Sequence, residues 1–299
     1  MYNGIINVYK EKGFTSHDVV AKLRGILKQK KIGHTGTLDP EAEGVLPVCL
    51  GKATKLCDLL TDKDKTYEAC LHLGISTDTQ DMTGTILEEK SVQVTEEEVI
   101  QMIASFEGEY QQIPPMYSAL KVNGKKLYEY AREGIEIERK PRKVQIFSIK
   151  IQKIELPKVW FLVECSKGTY IRTLCHDIGE KLGCGGCMET LRRTRVSVFP
   201  MEDSLKLSEI EKLRDEEKLT QVIIPMDAMF QNLEAAIVKE QFQKLLYNGN
   251  PMGRNSFEQQ PSSLETIRIY DQYKNFIGIY QWIEKKEIYQ PIKLFLPVE

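Results

Sequence analysis

The stretch Gly33-His-Thr-Gly-Thr-Leu-Asp-Pro40 gathers small, polar and conformationally free residues around one carboxylate. Gly33, Gly36 and Gly44 let backbone come close to a ligand. His34, Thr35 and Thr37 offer polar tips of little bulk, and Asp39 precedes a proline that holds it extended. A carboxylate in such a loop can attack an electrophile or accept a proton. For either role it must be ionised near neutral pH while partly shielded from water, and an arginine beside it would favour the charged form by about one to three pKa units. A plainer role stays open: Pro40 suits a first helical position, so Asp39 could simply cap a short turn through Ala42. The loop has neither a Gly-Lys-Ser/Thr step nor a GxGxxG fingerprint, so nucleotide triphosphate use is not supported. Cys184-Gly-Gly-Cys187, with Cys175 and His176 upstream, could be imagined as a zinc site, but one CxxC without a second pair at finger spacing is a weak signal.

The elements around this loop are legible from periodicity. Val19, Val20, Leu23, Ile26 and Leu27 repeat at helical spacing, which predicts a helix over 16–31 that Ser16 can cap, with Lys22, Arg24, Lys28, Lys30 and Lys31 on its polar face. After the apolar run GVLPVCLG a second helix is expected through Leu60, and Tyr67 to Leu73 alternates as a strand. Thr95-Glu-Glu-Glu98 is a capping box that predicts a helix over 96–107. Residues 143–154 and 160–165 alternate as strands. A turn at Gly168 leads into a helix that turns Ile171, Leu174, Cys175, Ile178 and Leu182 inward and leaves Arg172 beside that stripe. Residues 112–143 differ in kind: Pro114-Pro115 opens the segment, Asn123-Gly124 marks a turn, and charged residues outnumber apolar ones, so it reads as an excursion from the core. Beyond Phe230 a helix over 235–246 and short strands at 266–270, 276–282 and 292–296 form a small, mostly β appendage. The expected division is a catalytic domain over 1–230, with its insertion at about 112–143, and a second domain over 235–299.

At 299 residues, 41% hydrophobic and 28% charged, the chain has the composition of a globular protein of one large or two smaller domains. It contains no run of eighteen apolar residues and no basic-then-apolar leader, so membrane insertion and secretion are not expected and the cytoplasm is. The seven cysteines are an odd number in apolar contexts, which suggests reduced core thiols. A net charge of -2 does not advertise a polyanion partner, but the distribution does. From Val19 to Leu38 there are five Lys/Arg and no acid; from Lys121 to Lys143, eight against four Glu; and Leu191-Arg-Arg-Thr-Arg195 adds three more.

Five blocks then appear in order: GHTGTLDPEAEGVLPVCLGKATKL, KTYEACLHLGISTDTQDMTG, IPPMYSALKVNGKKLYEYAREG, CSKGTYIRTLCHDIG and LRRTRVSVFP. Together they closely resemble the bacterial tRNA pseudouridine synthase B family from Gly4 to about Pro200. The resemblance implies an α+β pseudouridine synthase fold with a mixed, largely antiparallel sheet, a thumb insertion, and a small β-rich, PUA-like RNA-binding domain at the C-terminal end. It implies conversion of the T-loop uridine of tRNA, position 55, to pseudouridine. By the same resemblance Asp39 stands where the family has its catalytic aspartate, Tyr67 its active-site tyrosine and Arg172 the arginine that pairs with the aspartate. Tyr170 and Leu191 fall in the uridine pocket, and His34 in the wedge that helps extract bases from the T-loop.

Taken alone, Tyr67 and Tyr170 would pass for core aromatics, Arg172 for a surface ion-pair residue and His34 for a solvated loop histidine. The excursion matches the family's thumb, which RNA-guided relatives lack, so a stand-alone enzyme is expected. Lys121, Lys125, Lys126, Arg132, Lys140, Arg142 and Lys143 would contact phosphates. Isomerisation gains and loses no atoms, so neither metal nor organic cofactor is expected, and tRNA is the expected partner of a monomer with no obligate protein partner. The competing expectation is an RNA-binding or tRNA-folding protein in which catalysis is secondary. Cys184, Cys187 and Arg195 depart from the family pattern near Leu191 and leave the lining there less defined.

Overall fold

The computed structural model describes residues 1–296. The chain opens with β1 (Gly4–Lys10), α1 (Ser16–Leu27), β2 (Ile32–His34) and β3 (Glu43–Leu50), passes through a 3-10 turn into α2 (Cys57–Thr61), and continues with β4 (Lys65–Leu73). A small hairpin, β5 (Ile75–Thr77) and β6 (Ile86–Glu89), precedes α3 (Glu96–Ala104) and β7 (Gly108–Gln112). Next come β8 (Lys121–Val122), β9 (Lys125–Lys126) and α4 (Leu127–Arg132), then β10 (Arg142–Glu155), β11 (Lys158–Cys165), α5 (Ile171–Lys181), β12 (Gly186–Val196), β13 (Phe199–Pro200) and α6 (Leu207–Asp215). The final portion holds β14 (Glu234–Ile237), α7 (Gln243–Tyr247), β15 (Met252–Gly253), β16 (Thr266–Tyr270), β17 (Phe276–Ile283) and β18 (Ile288–Leu294).

The main sheet runs β1-β3-β12-β4-β11-β10-β7, with β2 added to β3 and β13 to β12. All its ladders are antiparallel except β12 with β3, a parallel contact of only two pairs, Arg192↔Glu43 and Arg193↔Gly44. The two strands pair nowhere else, and Arg193 reaches from this contact to the Gly36 carbonyl of loop 35–42 at 3.3 Å. The fold is therefore α+β on a mixed, largely antiparallel sheet. Helices α3 and α5 bury Val99, Ile103, Ile171, Leu174 and Ile178 against Tyr67, Ala69, Leu71, Phe161 and Val163 on one half of the sheet. Helices α1 and α6 cover the other half through Val19, Leu23, Leu27 and Ile210 against Ile6, Val8, Leu46 and Val48. A separate five-stranded sheet, β14-β16-β17-β18-β15, closes over its own core of Ile267, Ile269, Ile277, Tyr280 and Tyr289. It docks through Phe276 and Phe295 against a cluster containing Val45, Leu56 and Phe199.

Three departures from the sequence reading have identifiable causes. Helix α1 is capped by Thr15, not Ser16: Thr15 and Asp18 form a reciprocal capping box, and the helix stops at Leu27, where Lys28 turns left-handed at φ 48°. Strand β10 does not keep one alternation. Bulges at Phe147 and Gln152 reset the pleat, so the inward set passes from Val144 and Ile146 to Ile149 and Ile151 and then to Ile154. The helix expected over 235–246 shrinks to α7, because Glu234–Ile237 pairs in parallel with β16 at a sheet edge, a ladder that outweighs modest helix propensity. The excursion leaves the main sheet at Gln112 and rejoins it opposite, at Arg142, the two residues being register partners.

Candidate active site

Loop 35–42 is held on several sides before it presents its carboxylate. Ser16, freed from capping, is buried and its hydroxyl accepts the Leu38 N–H at 2.9 Å. The Thr35 N–H donates to the Pro47 carbonyl at 3.2 Å. Lys10, fully buried at the end of β1, donates from Nζ to the carbonyls of Pro40 at 3.1 Å and Ala42 at 2.5 Å. At the parallel junction Gly44 takes φ +106°, and a Cβ there would lie 2.2 Å from the Arg193 carbonyl oxygen, so only glycine fits. The Asp39 carbonyl accepts the Ala42 N–H, closing a turn, while its carboxylate is directed away from helix capping.

That carboxylate meets Arg172. Arg172 Nε lies 3.0 Å from Asp39 Oδ2 and an Nη donates to Oδ1 at 3.4 Å. The sequence reading left Arg172 beside the buried stripe of α5; it is 5% exposed, because its side chain turns inward to polar partners instead of outward to water. Those partners also include the carbonyls of Thr79 at 3.1 Å and Tyr117 at 2.9 Å, and Asp81 Oδ2 at 3.5 Å. One guanidinium thus ties together the Asp39 loop, the β5–β6 connection and the excursion. Burial raises the Asp39 pKa above the ordinary carboxylate value; Arg172 and Lys10 oppose the rise and Asp81 adds to it. The arginine therefore offsets burial without overcoming it, although 40% of the Asp39 side chain remains accessible.

Asp39 walls a cavity of about 740 Å³ that Tyr67, Tyr117, Tyr170, Arg172 and Leu191 also line. Tyr67 is 7% exposed, and burial raises its phenol pKa while the adjacent Arg193 guanidinium opposes the rise. Arg193 is itself 1% exposed, donating from Nε to the Val45 carbonyl at 2.7 Å and from an Nη to Gly36 at 3.3 Å. Tyr170 precedes α5, and its backbone is clamped by the Gln112 side chain, which accepts its N–H at 2.8 Å and donates to its carbonyl at 2.9 Å. Gln112 is where the excursion departs, so the clamp links the thumb's base to the pocket. A second hollow, of about 800 Å³, lies on the far side of Asp39 and shares Asp39 and Leu191 with the first.

Asp39, Tyr67, Tyr170, Arg172 and Leu191 thus share one cavity, which Gly36, Thr37, Arg142 and Lys143 also line, whereas His34, Lys121, Lys125 and Lys126 do not. His34 lies at the end of β2 edge-on to His17, ring centroids 5.4 Å apart, and burial, with help from His17 and Arg193, lowers its pKa, favouring the neutral ring. Lys121, Lys125 and Lys126 sit on the β8–β9 hairpin. Lys125 pairs with Glu133 and lies over the Tyr130 ring, and Lys126 Nζ is 3.1 Å from the Tyr128 hydroxyl; of this group only Tyr128 reaches the cavity wall.

Sequence reasoning missed Lys10, Asp81, Tyr117 and Arg193. A signal existed for Arg193, which shares a strand face with Leu191 two residues earlier. None existed for Lys10, whose burial depends on carbonyls thirty residues away. All seven cysteines are free, and among the described residues no group of three or more His, Cys, Asp or Glu could hold a metal ion. No helix of the described residues is long and apolar enough to cross a membrane.

The site is thus a loop aspartate salt-bridged to a buried arginine on the wall of a tyrosine-lined hollow. The chain superposes with TM-score 0.74 and 29% identity on a chain of a crystal structure of a Cbf5-Nop10-Gar1 complex, over 98% of this chain and 85% of that one. Residues 24–171 match the model of the TruB family pseudouridylate synthase N-terminal domain, and residues 172–231 that of the tRNA pseudouridylate synthase B C-terminal domain. The tRNA pseudouridine synthase B of Lachnoclostridium phytofermentans is 58% identical over 98% of this chain and 100% of its own length; that of Clostridium kluyveri is 46% identical with the same coverage. The chain belongs to the tRNA pseudouridine synthase B family.

Proposed function

We propose that the chain isomerises the T-loop uridine at position 55 of tRNA to pseudouridine, with Asp39 as the catalytic carboxylate. The observation that carries this reading is the Asp39–Arg172 pair on the wall of a cavity of about 740 Å³, ample for an everted nucleoside. In the nucleophilic route, the ionised carboxylate bonds to C1′ as the N1–C1′ bond breaks and uracil leaves with the electron pair. The base turns within the pocket, C5 bonds to C1′, and the carboxylate is released. The C5 proton departs and N1 gains one, so atoms balance without cofactor or metal. In the alternative route Asp39, directly or through the Tyr67 hydroxyl, removes the C2′ proton as the N1–C1′ bond breaks and uracil leaves with its electron pair; a glycal forms, and the proton returns to C2′ as C5 bonds to C1′, with the C5 proton lost and N1 protonated as before. A deuterium effect at C2′ on the rate of product formation distinguishes the second route from the first.

Arg172 serves both routes by holding Asp39 toward the sugar. Reaching a uridine within a folded loop requires everting it, at a cost of a few kcal/mol, and stacking on Tyr67 returns about 1–3 kcal/mol. His34, neutral and close to the cavity, fills the vacated space. The excursion acts as a thumb over the RNA stem-loop through Lys121, Lys125 and Lys126, and the C-terminal sheet serves as a PUA-like contact for the acceptor stem. We further propose that the chain works in the cytoplasm as a monomer without an obligate protein partner. Incubation with an unmodified tRNA transcript followed by mapping of modified uridines tests the reading: pseudouridine at position 55 is expected, and modification confined to other positions overturns the assignment.

A further inference from the structure

One cationic surface takes no part in the site described above. On α1, His17, Ala21 and Arg24 recur at intervals of four and three residues, so they lie in one line along the helix, and Lys28 follows at its C-cap. The line begins beside the cavity, where His17 meets His34, and ends about 16 Å away at a rise of ~1.5 Å per residue. It borders β2, because the Arg24 guanidinium donates to the carbonyls of Lys30 at 3.1 Å and Ile32 at 3.4 Å. At its far end Lys28, Lys30 and Lys31 are exposed, and the Gly51 N–H donates to the Lys31 carbonyl at 2.8 Å, which brings Lys52 alongside. Lys55 follows on the next turn and reaches the C-terminal sheet through the Leu294 carbonyl at 2.7 Å.

Several cations elsewhere are neutralised: Lys125 with Glu133, Lys143 with Glu109, Lys167 with Asp62, Arg192 with Glu43 and Arg195 with Glu164. Along this strip, Arg24, Lys28, Lys30, Lys31 and Lys52 have no carboxylate within 4.0 Å among the described residues. Lys52 is further disfavoured in its charged form by burial and by the neighbouring Lys55. Unpaired like charges in a row repel one another, and a polyanion relieves that repulsion.

We infer that Lys28, Lys30, Lys31 and Lys52 form a phosphate-binding track that carries the tRNA backbone from the cavity mouth past β2 toward the C-terminal sheet, a contact separate from the thumb. The inference rests on the RNA-modifying reading above. Its partner is a nucleic-acid backbone instead of an acidic protein, because the cations are spread along a line that starts at the cavity instead of surrounding a patch.

The test is the fourfold variant Lys28→Gln, Lys30→Gln, Lys31→Gln, Lys52→Gln, compared with wild type by filter binding of an unmodified tRNA transcript from 50 to 200 mM salt. Single-turnover pseudouridine formation is measured in parallel. Four lost phosphate contacts flatten the log Kd against log salt slope by about 3, so the variant loses about 60-fold less affinity than wild type across that range. KM rises, while the single-turnover rate at saturating enzyme stays at the wild-type value, which also certifies that the variant is folded. An unchanged salt slope overturns the track, including the case in which these lysines serve an acidic protein. A wild type that binds tRNA with the steep slope yet forms no pseudouridine overturns the functional reading and leaves the track standing.

Discussion

Replacing Arg172 with methionine exposes the electrostatics of the site most cleanly. Methionine keeps most of the length and apolar volume but removes the cation from a point where two carboxylates converge, Asp39 at 3.0 Å and Asp81 at 3.5 Å. Burial already holds the Asp39 pKa above its ordinary value, and Arg172 is the largest influence opposing that rise. An opposite charge at such range is worth about one to three pKa units, so its loss raises Asp39 further by that amount. The chemistry needs the ionised carboxylate, so the acid limb of the single-turnover rate should move to higher pH by about one to three units, with the rate below the new limb falling about tenfold per unit. Stability should fall by up to about 3–5 kcal/mol, the range for breaking a buried pair, and toward the lower end because Asp39 is partly accessible. The assay is a pH profile of pseudouridine formation at saturating enzyme together with urea unfolding. A uniform loss of rate with the acid limb unmoved would refute the reasoning, since it would mean that Arg172 does not set the protonation of Asp39.

Three further outcomes follow from the same geometry. Gly44→Ala forces a Cβ to within 2.2 Å of the Arg193 carbonyl at a positive φ, so the urea midpoint should drop by the equivalent of about 3 kcal/mol or more, whereas Gly13→Ala, also at a positive φ but meeting nothing within 4 Å, should cost only the backbone strain of about 1–2 kcal/mol. Tyr67→Phe should keep tRNA affinity within about twofold while Tyr67→Ala loses about 1–3 kcal/mol of stacking, read as Kd on an uncleaved transcript. Burial holds Lys10 and Lys65 at pKa values of about 8. Between pH 8 and the unfolded value of 10.5 the unfolded chain binds more protons than the native one, so stability rises with pH across that window, and Lys10→Met should remove part of the rise in denaturant titrations at pH 8 and pH 10.

How much of this was legible in the sequence depended on how local the cause was. The glycine and threonine density around Asp39 marked a loop built to approach something, because backbone freedom and small polar tips are properties of the residues themselves. The Thr95 capping box and the strand through Phe161, Val163 and Cys165 were readable for the same reason. The inward turn of Arg172 was not, since helical periodicity describes where Cα atoms lie and not where a long polar side chain finds carbonyls. Lys10 and Ser16 became loop clamps only through partners 22 to 32 residues away. The bulges at Phe147 and Gln152 arise from the match of β10 to β11, so a single strand's pattern carried no trace of where the faces exchange.

The central claim is that the Asp39 carboxylate performs the chemistry and is dispensable for holding the RNA. The most direct measurement is a pair of experiments on Asp39→Asn with the same tRNA transcript: Kd by filter binding, and pseudouridine formed in a single turnover at saturating enzyme. Binding within a few-fold of wild type with no detectable pseudouridine is the expected result, and product formation at a rate near wild type would contradict the account.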